Sequence, residues 1–112
     1  KFTMDFYGKM EEKLRHCLDE MDARGVRRVV LYGASDVARI VIGMVDGAGP
    51  EIVAVLDDGR DGQEFHGIPG ITQEHLRDLD WDGVLITMVD GYDAAEAALK
   101  ALGVSDAEIW RL

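Results

Sequence analysis

The stretch LYGASDVARI, residues 31–40, decides the fold of this chain. Apolar β-forming residues run up to Tyr32, a glycine and an alanine make a corner, and Ser35 stands where it can cap a helix running to about Val45. The next apolar run, residues 52–56, supplies a second strand. A strand, a helix and a strand at this short spacing predict a right-handed crossover between parallel neighbours.

The rest of the chain continues this alternation of strands and helices. Strands are predicted at 26–32, 52–56, within 63–71, at 84–89 and at 108–112; helices follow the corner at 35–45 and recur at 72–79 and 93–102. The predicted fold class is therefore α/β, with a doubly wound, mostly parallel, five-stranded Rossmann-like sheet in the order 3-2-1-4-5.

An amphipathic helix is predicted before the first strand, over residues 3–24, with Gly25 as its left-handed terminator. Residues 1–25 thus form an N-terminal helix and residues 26–112 the Rossmann-like domain. The helix can pack on its own domain, pair with a second copy, or lead to a missing upstream domain. Its apolar stripe consists of Phe6, Met10, Leu14, Cys17, Leu18 and Met21.

Composition narrows the classes of partner. The net charge is −10, and the excess acid lies late in the chain: residues 1–45 hold 8 basic and 7 acidic side chains, whereas residues 46–112 hold 4 and 15. Such a surface repels the nucleic-acid backbone and anionic membranes, so we expect no direct nucleic-acid or membrane partner. A solvated acidic face is the simplest interpretation of the charge.

The single cysteine, Cys17, and the first residue of the chain bear on its origin. One cysteine cannot form an internal disulfide, and no long apolar run or signal-peptide pattern occurs, so a cytoplasmic location is expected. The chain starts at Lys1 without an initiator methionine, which predicts a piece of a longer protein.

Residues 33–38, GASDVA, occupy the place of the dinucleotide fingerprint GxGxxG/A. Gly33 and Ala38 fit its first and third positions, Ser35 replaces the second glycine, and Asp57 follows 24 residues after Gly33 as the acid that binds a ribose hydroxyl. A side chain at position 35 lengthens any contact with a pyrophosphate, and the carboxylate of Asp36 repels a phosphate at the helix N-terminus.

The sequence therefore favours a nucleotide or nucleotide sugar, held partly through its base and ribose, over a full dinucleotide. Asp36 at the start of the helix and, across the crevice, Thr87 and Met88 complete the candidate ligand-binding site; Met88 with Tyr92 can flank a base, or the tyrosine can serve packing alone. The alternative is that Gly33 and Ala38 only permit close packing of strand and helix.

Four segments, LYGASDVARIVIGMV, EIVAVLDD, EFHGIPGITQEHL and DGVLITMV, resemble in order the sugar-nucleotide-binding Rossmann-like domain that precedes the left-handed β-helix of bacterial sugar acyltransferases. They are equally similar to the domain fused behind a winged helix in regulators linked to exopolysaccharide synthesis. The resemblance covers residues 26–112. It implies a nucleotide-binding turn at Gly33, Ala34 and Ser35, and acids after the second strand at Asp57 and Asp58. It also implies binding or sensing without catalysis, because the acyltransferases catalyse on their β-helix domain.

Two other kinds of site, a metal site and a hydrolytic triad, can be drawn with residues of this region. Hard oxygen donors and one imidazole suit Mg²⁺ or Ca²⁺, but the spacing fails the EF-hand pattern and we predict no metal site; the group comprises Asp57, Asp58, Asp61, Glu64 and His66. A hydrolytic triad of Ser35, His66 and Asp57 lacks the Gly-x-Ser-x-Gly elbow, so no catalytic residue is predicted.

Two hypotheses about function follow. In the first, the chain is a non-catalytic ligand-binding or regulatory domain whose possible cofactor is a nucleotide or nucleotide sugar. In the second, it is an assembly module without a small-molecule ligand, which forms a homodimer through residues 3–24.

Overall fold

The computed structural model describes residues 2–47, 49–57, 62–88 and 91–111, with side chains from Gly8 onward. The helices are α1 (Phe2–Ala23), α2 (Asp36–Met44), α3 (Gln73–Leu76) and α4 (Tyr92–Ala101), with a 3-10 turn at Asp106–Glu108. The strands are β1 (Arg28–Tyr32), β2 (Glu51–Leu56), β3 (Glu64–Phe65), β4 (Ile68–Ile71), β5 (Gly83–Ile86) and β6 (Ile109–Trp110).

The strands form one mostly parallel sheet, which confirms the α/β class. The predicted five-strand order needs correction, because the sheet has six strands in the order β3-β4-β2-β1-β5-β6. The region 63–71 forms two strands instead of one: Glu64 and Phe65 pair antiparallel with Pro69 and Ile68. His66 and Gly67, with φ of 50° and 85°, turn the chain between them, as two-residue hairpin loops require. The other pairings are parallel.

Two predicted element ends also shift. The helix expected at 72–79 is α-helical only to Leu76, because Asp78 and Leu79 donate to carbonyls three residues back, which is 3-10 geometry. The strand expected at 84–89 leaves the ladder after Ile86. Val89 lies outside the described residues.

β1 lies in the middle of the sheet and supplies both halves of the core. Its side chains alternate, as strand geometry demands: Val29 and Leu31 pack in the cluster with α1 and α2, whereas Val30 and Tyr32 pack in the cluster with α3 and α4. Helices thus cover both faces of the sheet. The apolar run in β1 follows from this burial on two sides.

α1 packs on its own domain over its second half. Leu14, Cys17, Leu18 and Met21 are buried in the cluster with α2 and the sheet. Burial, aided by the charge of Glu20, raises the pKa of the Cys17 thiol to about 11, so the thiol is neutral at physiological pH. Of the placements that the sequence left open, the structure shows the first for these four residues.

The turn after α1 directs the chain into β1. Gly25 has the left-handed φ of +77° that its place after the helix predicts, and Val26 donates to the carbonyl of Met21 at 2.9 Å, as in a Schellman motif. Val26 therefore still belongs to the helix end. This explains why β1 begins at Arg28 and not at residue 26.

The amino end of the β1–β5 pair is held by Asp82. Its Oδ2 accepts the backbone N–H groups of Arg27 and Arg28, each at 3.0 Å, and its own N–H donates to the carbonyl of Arg28 at 2.8 Å. The two bonds that the carboxylate accepts from Arg27 and Arg28 lower the pKa of the Asp82 carboxyl, because they favour its charged form.

Gly83, the first residue of β5, lies against the ring of Trp110 in β6. A Cβ on Gly83 would stand 3.2 Å from Cδ1 and Nε1 of that ring and 3.2 Å from Cγ1 of Val26. A larger residue at position 83 would therefore require the indole and Val26 to shift by a few tenths of an ångström.

Among the described residues, no helix is both long enough and apolar enough to cross a membrane.

Candidate functional site

The Gly33 corner comprises residues 32–36 together with Asp57, Thr87 and Met88, and it lies where β1, β2 and β5 end. Its geometry starts from Gly33, whose φ of +116° is open only to glycine at low cost. The N–H of Gly33 donates to the carbonyl of Leu56 at 3.0 Å, so the corner stays joined to β2 after β1 has ended.

Met88 lies directly against Gly33. A Cβ on this glycine would be 2.8 Å from Cγ of Met88 and 3.2 Å from its backbone nitrogen. Two structural features therefore favour a glycine at this position: its φ is positive, and the chain that follows β5 approaches it closely. The packing role that the sequence offered as an alternative is present at Gly33, and Ala38 is fully buried in the core.

Ser35 caps α2 and joins the corner to β5. Its backbone is extended, its Oγ accepts the N–H of Ala38 at 3.3 Å, and its hydroxyl donates to the carbonyl of Thr87. This is the N-cap geometry that the sequence predicted. In the place of the fingerprint's second glycine, the chain therefore has a serine whose hydroxyl donates one hydrogen bond and accepts another.

Thr87 is fully buried and holds the end of β1. Its N–H donates to the carbonyl of Tyr32 at 3.0 Å, and its Oγ1 lies 2.7 Å from the carbonyl oxygen of Gly33 and 3.1 Å from that of Tyr32. The sequence proposed Thr87 as a ligand contact. The structure places its hydroxyl on the backbone of the corner.

Asp57 follows β2 and points its carboxylate at the corner. Its Oδ2 lies 3.3 Å from the N–H of Ala34, and its backbone N–H donates to the carbonyl of Ile71 at 3.0 Å. The side chain is half-buried. The fingerprint acid and the fingerprint turn are thus brought together, although 23 residues separate them. Asp58, the second acid of the prediction, lies outside the described residues.

The first turn of α2 presents backbone donors at the same place. Within the described ranges, the N–H groups of Asp36 and Val37 make no hydrogen bond, as is usual for the first turn of a helix. The Asp36 carboxylate is exposed, and its Oδ1 lies 3.8 Å from Nε of Arg39 one turn later. The corner therefore offers amide donors beside carboxylates.

Tyr92 opens α4 and packs, like Met88, against the core cluster between the sheet and α4. Burial raises the pKa of its hydroxyl, so the phenol stays protonated near neutral pH. Both side chains are half-buried, which leaves part of each accessible at the carboxyl end of the sheet.

The other proposed sites are separated or lie partly outside the description. His66 sits in the β3–β4 turn, before the start of β4, whereas Ser35 follows the end of β1, so the drawn triad does not assemble. In the part of the chain that the structure describes, no group of three metal-ligating side chains is suitably placed. Asp58 and Asp61 are not among those residues.

A groove that the sequence did not predict lies at the opposite end of β2. This amino-end groove has a volume of about 570 Å³, with apolar walls from Val45, Pro50 and Ile68 and polar groups from Asp46, Glu51 and His66. The signal for it was weak, since Gly47, Gly49 and Pro50 predicted only the end of a helix.

Comparison of the sequence with curated proteins gives no match. The model of the C2185-like N-terminal domain family matches residues 25–110, which is most of the chain and spans every strand of the sheet. The chain therefore belongs to the C2185-like N-terminal domain family.

Proposed function

We propose that this chain is a non-catalytic ligand-binding or regulatory Rossmann-like domain of a larger bacterial protein, and that the Gly33 corner binds a nucleotide or nucleotide sugar. The observation that carries this proposal is the meeting of three features at one point. The Asp57 carboxylate, the Ala34 amide and the N–H groups at the start of α2 lie together at the carboxyl end of parallel strands. Ligands of open α/β sheets bind at such ends, beside the strand where the order reverses.

The chemistry of these groups suits a nucleoside better than a phosphate chain. A carboxylate accepts hydrogen bonds from ribose hydroxyls, and Asp57 stands at the end of the second strand, where that role is expected. The Asp36 carboxylate sits beside the amides of α2 and weakens their attraction for a phosphate. Base and ribose are therefore the parts of the ligand that the corner holds.

Two further points support the proposal. The family description speaks of an N-terminal domain, which agrees with a unit that serves a longer protein. The resemblance to sugar-nucleotide-binding domains of acyltransferases and exopolysaccharide regulators points to the same ligand class. We therefore also propose that the chain is related to these domains.

Titration calorimetry with UMP, UDP-sugars, NAD and S-adenosylmethionine tests the proposal. We expect heat of binding with at least one nucleotide, and an affinity reduced by about tenfold or more in Asp57→Asn, which keeps an oxygen for Ala34 but removes the charge that holds the ribose. Asp46→Asn, an exposed acid of the amino-end groove, is the matched control and should bind as the wild type does. If no compound produces heat, only the packing role of the corner remains.

The alternative proposal is an assembly module that dimerises through residues 3–24. Part of the apolar stripe of this helix is not accessible to a second copy. Leu14, Cys17, Leu18 and Met21 are already buried within the chain, so a second copy would have to contact earlier turns of α1. Sedimentation over a range of concentrations tests it: a constant monomer mass at high concentration rejects the dimer.

A further inference from the structure

The side of the Gly33 corner that faces β5 is filled, whereas the side that faces β2 is lined by Asp57. In a doubly wound sheet, a ligand with two nucleotide halves spans the strands on both sides of the reversal, which here lies between β1 and β5. The contents of the β5 side therefore decide how much of a ligand the corner can accept.

Thr87 forms the floor on the β5 side. It is fully buried, and its backbone and hydroxyl are bonded to the carbonyls of Tyr32 and Gly33. Ser35 bonds to its carbonyl from the other direction. The chain after β5 is thus held against the corner beyond the last ladder pair, Tyr32 with Ile86, and the crevice does not open at this level.

Met88 covers the corner above this floor. Its Cγ would lie 2.8 Å from a Cβ on Gly33, and its backbone nitrogen 3.2 Å. A methionine side chain moves easily, but rotation about its side-chain bonds leaves the backbone nitrogen where it is. The backbone therefore fixes the start of the Met88 side chain beside Gly33, and it is this side chain that occupies the surface on which a second ligand half would lie.

We propose that Met88 is a specificity-determining residue that closes the β5 side of the Gly33 corner, so that the site accepts one nucleoside unit on the β2 side and gains no affinity from a second half. This inference rests on the proposed function. It narrows the ligand class to mononucleotides and to nucleotide sugars whose sugar makes no contact with the corner.

The wild-type protein tests this by pairwise titration with AMP and NAD, and with UDP and UDP-glucose. In each pair we expect the larger compound to bind within about threefold of the smaller one, since its extra half has no partner. A larger compound that binds much more tightly overturns the inference while leaving the proposed function intact. If none of the four binds to the wild type or to Met88→Ala, the proposed function fails, and the inference fails with it.

Shortening the side chain sharpens the test. Met88→Ala removes the cover, and we expect the affinity for NAD to rise about tenfold while AMP is unchanged, the scale of effect that a few methylenes have in a pocket. Met88→Leu keeps the space filled and should behave as the wild type does. Met44→Ala removes another half-buried methionine, at the far end of α2, and is the matched control. Equal changes for NAD and AMP in Met88→Ala contradict the assignment.

Discussion

The two ends of the β1–β5 pair are built from the same kinds of part and use them differently. Each end has a glycine that another residue approaches closely, Gly33 at the carboxyl end and Gly83 at the amino end. Each also has an aspartate that accepts backbone amides. Asp57 lies 3.3 Å from one corner amide, whereas Asp82 accepts two amides at 3.0 Å. The contacts of Asp82 with backbone amides are thus shorter than the contact of Asp57 with Ala34.

The two aspartates differ in where they stand in the sheet. Asp82 is bound to two amides at the start of β1, and this lowers the pKa of its carboxyl. Asp57 stands at the end where ligands of such sheets bind, beside N–H groups of α2 that make no hydrogen bond among the described residues. A carboxylate beside backbone N–H groups thus fixes the amino end of the pair, and at the carboxyl end the same chemistry belongs to the corner that we propose binds a ligand.

Among the variants at the two ends, Gly33→Ala should have the largest effect on the free energy of unfolding. The new Cβ meets a φ of +116° and approaches the backbone of Met88 to 3.2 Å, and a backbone neighbour cannot rotate away. Strain and overpacking together should lower the free energy of unfolding by about 3 kcal/mol, measured by urea denaturation. Gly43→Ala in α2 has nothing within 4 Å of its Cβ and should stabilise the chain by about 1 kcal/mol. Equal effects in the two variants would refute the tight corner.

Gly83→Ala should have a smaller effect, because Gly83 has no positive φ and the contact is with side chains. Its Cβ would be 3.2 Å from the Trp110 ring and from Val26, and these must shift by a few tenths of an ångström. We expect a loss of about 1 to 2 kcal/mol and a changed near-ultraviolet circular dichroism signal from the displaced indole. The double variant Gly83→Ala with Val26→Ala relieves one of the contacts. A loss as large as that of Gly33→Ala would remove the difference between the two ends.

Much of this fold follows from local patterns in the sequence, and the exceptions have physical causes. The continuous apolar run in β1 predicted a strand buried on both faces, and Ser35 predicted the start of α2; both are confirmed. The β3–β4 hairpin was missed because its turn uses His66 at positive φ, where asparagine or glycine is the usual signal.

The candidate site was predictable in its position and less so in its contacts. The spacing of Gly33 and Asp57 indicated that they meet, and they do through Ala34. The pattern of apolar residues could not show that the Thr87 hydroxyl contacts the corner or that Met88 covers Gly33. Both contacts depend on the path that residues 87 and 88 take beside the end of β1, after the last ladder pair of β5. Contacts between residues about 55 positions apart are set by the tertiary fold alone.

Asp82→Asn should have the smallest effect, and its pH dependence identifies the cause. The folded chain lowers the pKa of Asp82 below 3.8, so the carboxylate stabilises the fold at pH values above 3.8, and this contribution fades as the pH falls through the lower folded pKa. Because Asp82 is exposed, solvent screening limits the loss at pH 7 to about 1 kcal/mol. Denaturation midpoints of wild type and variant should converge toward acid pH. Asp80→Asn, which breaks only the exposed ion pair with Arg28, should cost less at every pH. A difference between wild type and Asp82→Asn that persists unchanged into acid would mean that the side-chain shape, and not its charge, holds the amino end.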